Sequence, residues 1–383
     1  MASGCAADSG IEAGEQVTVY VSMPLHGPAG ADGRDVVAGA KLALTGADGK
    51  AGDLAVHAVY VDDAAGHHEG ARWSPVKAAA NARQATEDSS AIAYLGDFDS
   101  GATRYSLPIT NEAHMLQVSP ASAAVDLVQP FLGAGDQVPE GVQPSGDRTF
   151  GRVIPSDEVQ AEAAAAWAKR LGTPRVAAVS DGSRFGDTLV ASFREAITGS
   201  ATASADRADL IYYGGSGDDA PAPIMRVVQQ PCPHQTLMGS DALLGSALLL
   251  QIPRGRFACP AILTRRQPPR GVFVTSAAED PKELPPAGQR FVRGFRKRYG
   301  RKPGRYAAYG YEAMAVTLDS IRRAGESGDD RDSVVSAFFD TTDRNSILGE
   351  YSIDEVGNTT LDRLAGYRVF AGRPVFTTAL RGR

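Results

Sequence analysis

From Val17 onward the chain alternates short apolar runs of strand type with longer stretches whose apolar residues recur at helical spacing. Val17–Met23 (VTVYVSM), Leu54–Val61 (LAVHAVYV), Ala91–Leu95 and Leu116–Val118 carry the strand pattern. Between them, Asp35–Leu44 follows a Gly/Pro loop (Leu25–Gly33) and has apolar residues at helical positions. Ser74–Thr86 does the same, and its Ser74-Pro75 opening suits a helix start, because proline's missing N–H costs nothing in a first turn. The theme resumes at Arg175–Val179, Leu210–Tyr213, Thr236–Met238 and Gly271–Val274. Strands alternating with helices predict parallel sheets covered on both faces, so the fold class is α/β. Such sheets bind ligands outside the carboxyl ends of their strands.

A loop rich in Gly, Pro and acid (Gly133–Asp147) interrupts the pattern. Arg152–Ile154 then reads as extended, and Ser156-Asp157-Glu158 supplies an N-cap and an acidic first turn for an Ala-rich helix running to Leu171. This is the expected first crossing between domains. With 383 residues the chain can bury two sizeable cores. Its 43% hydrophobic and 22% charged residues exclude disorder, collagen-like repeats and a small disulfide scaffold. No apolar run approaches the roughly 18 residues of a membrane span. The net charge of −6 argues against non-specific nucleic-acid binding. The basic stretch Arg290–Arg305 fits this reading, since Phe291, Phe295 and Tyr299 recur at four-residue spacing, as in the buried stripe of a helix with an arginine-covered outer face.

Catalytic and metal constellations are sparse. No nucleophile elbow, P-loop or dinucleotide fingerprint is present. His67-His68-Glu69 lacks the spacing of a zinc helix and reads as a solvated loop. Cys232-Pro233-His234 with Cys259 lacks paired zinc spacing, leaving either a Cys232–Cys259 disulfide or two unrelated thiols. Asp62-Asp63, and Asp97 with Asp99, are carboxylates at strand ends, suited to capping and turn chemistry or to acid–base work. No metal and no cofactor is expected, and the chain reads as a non-enzyme; a hydrolase using Asp97, Asp99 or Ser100 is the catalytic alternative. Cys5, after Ala2-Ser3-Gly4, looks like the lipidated cysteine of a bacterial lipoprotein, with the small and acidic residues 5–15 as a tether.

A series of motifs carries a family likeness. In order they are Gly27–Leu44 (GPAGADGRDVVAGAKLAL), Val59–Ala64 (VYVDDA), Leu95–Thr103 (LGDFDSGAT) and Pro108–Ser122 (PITNEAHMLQVSPAS). Phe150–Gln160 (FGRVIPSDEVQ), Asp181–Leu189 (DGSRFGDTL), Asp209–Gly215 (DLIYYGG), Leu237–Asp241 (LMGSD), Phe291–Glu312 and Ile347–Asn358 (ILGEYSIDEVGN) follow. Together they resemble the type I periplasmic-binding-protein superfamily, specifically the branched-chain-amino-acid-type substrate-binding proteins of ABC transporters. The resemblance implies two Rossmann-like three-layer lobes joined by three hinge crossings, with ligand caught between them. Lobe 1 would hold residues 15–150 and 277–346, and lobe 2 residues 151–276 and 347–383, after a lipoprotein tether at 1–14. It further implies a monomeric, extracytoplasmic protein of a Gram-positive-type cell surface, held to the membrane only through lipid on Cys5. Its partners would be a small carboxylate-bearing solute, such as an amino acid, and an ABC permease, with no nucleic acid. A sensory receptor of the same fold and a member that binds nothing are the alternatives.

The resemblance also places site residues. Ser100, followed by Gly101-Ala102-Thr103, would cap a helix, and its hydroxyl with the N–H groups after it would take the ligand's carboxylate. Ala121 and Ala123 would occupy the second loop, where backbone groups reach the amino-acid end. Asp241 would pair with the α-ammonium, Phe185 would cover the ligand, and Asp32 and Ser216 would line the pocket wall. The ordinary roles of these residues are an N-cap for Ser100, a turn acid for Asp241 and a core residue for Phe185. The chain departs from the family in having Ala123 where a hydroxyl is usual, Phe185 in place of Tyr, and a small Ser216. Its Thr198–Asp209 segment is also too short for the strand and helix normally found there.

Overall fold

A computed structural model describes residues 16–66, 72–130, 139–217, 220–230, 235–244, 246–252 and 271–382. The first part of the chain forms β1 (Gln16–Met23), α1 (Gly30–Gly46), β2 (Lys50–Ala51), β3 (Leu54–Asp62) and α2 (Pro75–Glu87). It continues with β4 (Ala91–Leu95), α3 (Ser100–Glu112), β5 (Leu116–Ser119) and β6 (Phe150–Arg152). The middle part forms α4 (Asp157–Arg170), β7 (Arg175–Ser180), α5 (Arg184–Ala196), β8 (Ala201–Thr202) and β9 (Leu210–Gly214). After these come α6 (Ala222–Gln229), β10 (Thr236–Gly239), α7 (Ala247–Leu250) and β11 (Gly271–Ser276). The last part holds α8 (Pro286–Tyr299), α9 (Ala307–Ala324), α10 (Arg331–Phe339), β12 (Arg344–Asn345), β13 (Glu350–Tyr351), β14 (Arg363–Phe370) and β15 (Arg373–Arg381).

Two compact units divide these elements. Unit 1 runs to Ser122 and adds Asp126–Ile154 and Leu284–Leu361, while unit 2 comprises Ala123–Val125, Pro155–Glu283 and Asp362–Arg383. The sheet of unit 1 has the order β2-β3-β1-β4-β5-β6, parallel apart from the two-residue β2. β1 lies inside it and is buried from Val17 to Met23, which explains its continuous apolar character. The sheet of unit 2 has the order β15-β14-β11-β10-β9-β7-β8, parallel from β11 to β8 and closed on one side by the antiparallel pair β14 and β15. Both sheets carry helices from their crossover connections, as the alternation of elements predicts.

Local signals account for most element starts. Ser74 accepts from the Lys77 N–H ahead of Pro75, and Ser156 accepts from Val159 N–H ahead of the acidic first turn of α4. In α8, Phe291 and Phe295 are buried and the Tyr299 hydroxyl donates to the Ala38 carbonyl at 2.9 Å, while Arg290, Arg293 and Arg296 stay exposed. The helix stops at Gly300 in a left-handed conformation (φ 69°).

All three boundaries of the sequence division shift: residues 151–154 fall in unit 1, and Ala123–Val125 fall in unit 2. Residues 347–361 belong to unit 1, because β13 pairs with β12, Tyr351 Oη donates to Glu312 (2.9 Å), and Arg152 donates through its N–H to the Gly357 carbonyl and through Nε to Asn358. Residues 277–283 belong to unit 2, where Arg363 Nε donates to Glu279 at 2.8 Å and Nη2 to the Glu283 carbonyl at 2.7 Å. The short segment between α5 and β9 contains only the two-residue edge strand β8 and turns, with no helix. Cys5, His67-His68-Glu69, Cys232 and Cys259 lie outside the described residues, so the tether, the lipidation site and the possible disulfide do too.

Candidate functional site

In unit 1 the loops after β4 and β5 are tied to each other through Asp97. Its carbonyl accepts from Ser119 Oγ at 2.7 Å and from Ser122 Oγ at 2.9 Å. Its N–H donates to Thr103 Oγ1 at 3.2 Å, and the Thr103 and Ser122 hydroxyls are 2.7 Å apart. All three hydroxyl side chains are fully buried. These bonds hold the start of α3 against the second loop, so the first turn of the helix is fixed in place. Arg152, also fully buried, donates from Nη1 to the Ser122 carbonyl at 3.2 Å and braces the same loop.

Ser100 is the half-buried first residue of α3, and Asp99 occupies the N-cap position. The expectation that Ser100 caps the helix is thereby corrected by one residue. Asp99 does not cap with its side chain either, since its Oδ1 accepts from Arg72 Nε at 2.9 Å. Ser100 still stands among first-turn N–H groups that have no intrahelical acceptor, the arrangement that suits an anion. Trp73 packs on the same turn: a Cβ at Gly101 would come within 2.4 Å of its indole. Trp73 in turn lies 5.7 Å from the exposed Tyr105 ring.

Backbone groups of the second loop are bonded locally. The Ala121 N–H donates to Ser119 Oγ (3.2 Å), and the Ala123 carbonyl accepts from the Asp157 N–H (2.8 Å). Ala121 belongs to unit 1 and Ala123 to unit 2. Asp32, in the first turn of α1, pairs with Arg305 at 3.4 Å. Arg305 lies over Tyr306, whose ring meets Phe98 edge-on at 4.8 Å, so Asp32 is linked by contacts to the loop that carries Ser100.

The strand-end acids split into two kinds. Asp62 does turn chemistry: it accepts from the Leu25 N–H (2.8 Å), the Ala64 N–H (3.2 Å) and Lys77 Nζ (2.7 Å), and His26 Nε2 lies 3.0 Å from its carboxylate. Burial pushes its carboxyl up, and the bonds from Lys77, Leu25 and Ala64 outweigh that and hold it below the usual range. Asp63 and Asp97 are fully buried instead. Burial and the neighbouring Asp97 and Asp99 charges push Asp63 up to about 9. Burial raises Asp97 to about 6 against the bonds it accepts from Ser106, Ser22 and Tyr94. The Asp97 carboxyl is therefore shut off from solvent.

In unit 2, Asp181 gathers the loops after β7 and β9. Its carboxylate accepts from the Ser183 N–H (2.9 Å), Ser183 Oγ (2.5 Å) and the Ser216 N–H (3.1 Å). Ser183 then caps α5 by accepting from the Gly186 N–H at 3.0 Å, which sets Phe185, half-buried, in the first helical turn. The Ser216 carbonyl accepts from Tyr213 Oη at 2.7 Å. Asp181 thus fixes both Phe185 and Ser216; the Asp-Gly-Ser run directly after a strand is the sequence signal for it. Asp241 follows the neighbouring β10, where its carboxylate accepts from Ser276 Oγ (2.9 Å) and Gln160 Nε2 (3.4 Å). Burial and the Asp157 and Asp241 charges push the phenol of the buried Tyr212 up. Arg72, Trp73 and Asp181 stand beside the candidate residues without being singled out in the sequence.

Among the described residues no cluster of His, Cys, Asp and Glu could hold a metal ion, and no helix is long and apolar enough to cross a membrane. Residues 201–373 match the family model described as periplasmic binding protein. No curated protein matches the chain. Among solved structures, a leucine binding protein from Thermotoga maritima is 23% identical, with a TM-score of 0.70 over 95% of this chain and 99% of that one. The branched-chain amino acid transporter substrate binding protein of Streptococcus pneumoniae, in complex with isoleucine, is 17% identical, with a TM-score of 0.69 over 96% and 100%. An ABC transporter solute binding protein of R. palustris, in complex with benzoate, is 16% identical, with a TM-score of 0.66 over 95% and 96%.

Proposed function

For a chain that is a type I periplasmic binding protein in fold, similar to leucine and branched-chain amino-acid binding proteins, we propose extracytoplasmic capture of a small carboxylate, an amino acid or a relative of one, for ABC-type import. The chain works by binding and release, without turnover, and delivers its solute to a permease. The observation that carries this reading is the braced start of α3. Buried Ser119, Ser122 and Thr103 fix the Asp97 backbone and leave the half-buried Ser100 at a helix N-terminus, where a carboxylate gains hydrogen bonds without reorganising the protein.

In this reading Ser100 and the N–H groups after it hold the carboxylate, and Trp73 walls the same turn. Asp241 meets the α-ammonium, Phe185 covers the solute, and Asp32 and Ser216 shape the walls. Lipid on Cys5 would keep the protein at the membrane. A carboxylate without an ammonium group is the second reading, favoured by the two donors already on Asp241 and by the missing hydroxyl at Ala123. The benzoate complex of the similar R. palustris protein supports it. A thermal-shift screen of amino acids against aromatic and aliphatic acids separates the two. Stabilisation by amino acids supports the first reading and stabilisation by plain acids alone the second; if the screen identifies a solute whose affinity neither Ser100→Ala nor Asp241→Ala alters, the assigned site is wrong.

A further inference from the structure

Among the described residues Asp63 stands out: it is fully buried, and neither carboxyl oxygen accepts a hydrogen bond from any described N–H or O–H. Its backbone is committed, with the N–H donating to the Met23 carbonyl and the C=O accepting from the Ser74 N–H. Its charged neighbours include the carboxyl of Asp97. Asp97 is well supplied, accepting from Tyr94 Oη at 3.1 Å on Oδ1 and from Ser106 Oγ on Oδ2. An ionised carboxylate with no donor, buried next to a second carboxylate, is the least tenable state for such a group. A neutral acid that gives its own proton to its neighbour removes both objections.

We propose that Asp63 is a carboxylic acid in the native protein, that its O–H donates to Asp97, and that this shared proton positions the Ser100 and Ala121 loops. The second half rests on the carboxylate-binding function proposed above; the first half does not. Asp97 is where the two loops meet, through its N–H to Thr103 and its carbonyl to Ser119 and Ser122. Loss of the proton would set two anions side by side beneath that junction.

Among the described residues, other groups around the pair have partners of their own. From the β3–α2 connection, Asp62 faces Lys77 and His26; from the β4–α3 loop, Asp99 faces Arg72. Asn81 of α2 donates to Ser22, and Gln117 of β5 donates to Ser106 and to the Gly96 carbonyl. Lys77 and Arg72 therefore already face other carboxylates. Burial and the nearby Asp97 and Asp99 charges raise Asp63 to about 9, which places its deprotonation well above neutrality.

The test is a pH titration of carbon-13 at the aspartate carboxyls, compared with Asp63→Asn, in which the amide keeps a donor toward Asp97. One carboxyl of the unsubstituted protein should stay protonated at neutral pH and titrate near 9, and that signal should be missing from the variant. Complete ionisation of all aspartates by neutral pH overturns the shared proton. Loop position is followed through Trp73 emission in a Trp167→Phe background, because Trp73 packs on Gly101. The emission should change over the same titration and stay level in Asp63→Asn. A titrating carboxyl with level emission in both proteins overturns the positioning role. Neither readout needs a solute, so a barren solute screen would count against the proposed function alone.

Discussion

Asp241 and Ser100 carry the sharpest residue-scale expectations. If Asp241 meets an ammonium group, Asp241→Ala should weaken an amino-acid solute by about 1.5–3 kcal/mol, a tenfold loss or more in calorimetry, and leave a plain acid almost unaffected. Ser100→Ala should weaken both classes. Glu312 tests the cost of a buried pair: it is almost fully buried, with Arg344 Nε at 2.7 Å and Tyr351 Oη at 2.9 Å. Arg344→Ala strands that carboxylate and should lower stability by about 3–5 kcal/mol in denaturant melts, whereas Arg344→Lys should cost less. These residues differ in how legible they were. Ser100 and Asp241 follow strands in recognisable loops, so sequence order locates them. Asp63 and Asp97 look like any strand-end acids, because the burial that sets them apart comes from elements far along the chain.

At the scale of elements, the α8 stripe shows what periodicity settles. Phe291 and Phe295 face inward and the arginines outward, so Phe295→Ala should cost about 3–5 kcal/mol in thermal or chemical melts, while Arg293→Ala should stay within about 0.5 kcal/mol of the parent. The packing of α1 on α9 was not legible in that way. Their backbones approach where a Cβ at Gly39 would fall 1.9 Å from the Ala307 carbonyl oxygen, and one at Gly310 would fall 2.2 Å from that of Val36. A glycine within a helical pattern does not reveal which backbone comes close to it. Gly310→Ala should therefore destabilise strongly despite the better helix propensity of alanine, a sign reversal that a melt detects directly. The start of α3 was misplaced by one residue for a similar reason: Asp99 and Ser100 are both good capping residues, and Arg72, distant in sequence, takes the Asp99 side chain. The shortness of the 198–209 segment was evident beforehand; that it retains an edge strand was not.

For the whole molecule, alternation of strands and helices was enough for the α/β class, and motif order was enough for the family resemblance. The unit boundaries shifted because residues 347–361 are recruited to unit 1 by Arg152, Glu312 and β12, contacts with no local sequence signature. Stability against pH is also a property of the whole chain. Asp97 and Asp63 have folded-state values raised to about 6 and about 9, so the stability linked to their protons is complete below the ordinary aspartate range and is lost as pH rises through those values. Asp62, Asp88 and Asp319 are lowered, and their contribution is lost in acid instead. Between neutrality and pH 9 the melting temperature should therefore fall, and Asp63→Asn should flatten that decline; a variant profile parallel to the parent would remove Asp63 from the account.

Solute capture is the central claim, and calorimetry on the hits of a thermal-shift screen tests it most directly. A solute that binds only the folded chain adds about 2.7 kcal/mol of stability at a hundredfold excess over Kd. Such a shift is expected for one class of small carboxylates, with one-to-one stoichiometry and a marked loss in Ser100→Ala. A solute bound equally well by that variant, or stabilisation only by molecules lacking a carboxylate, would contradict it.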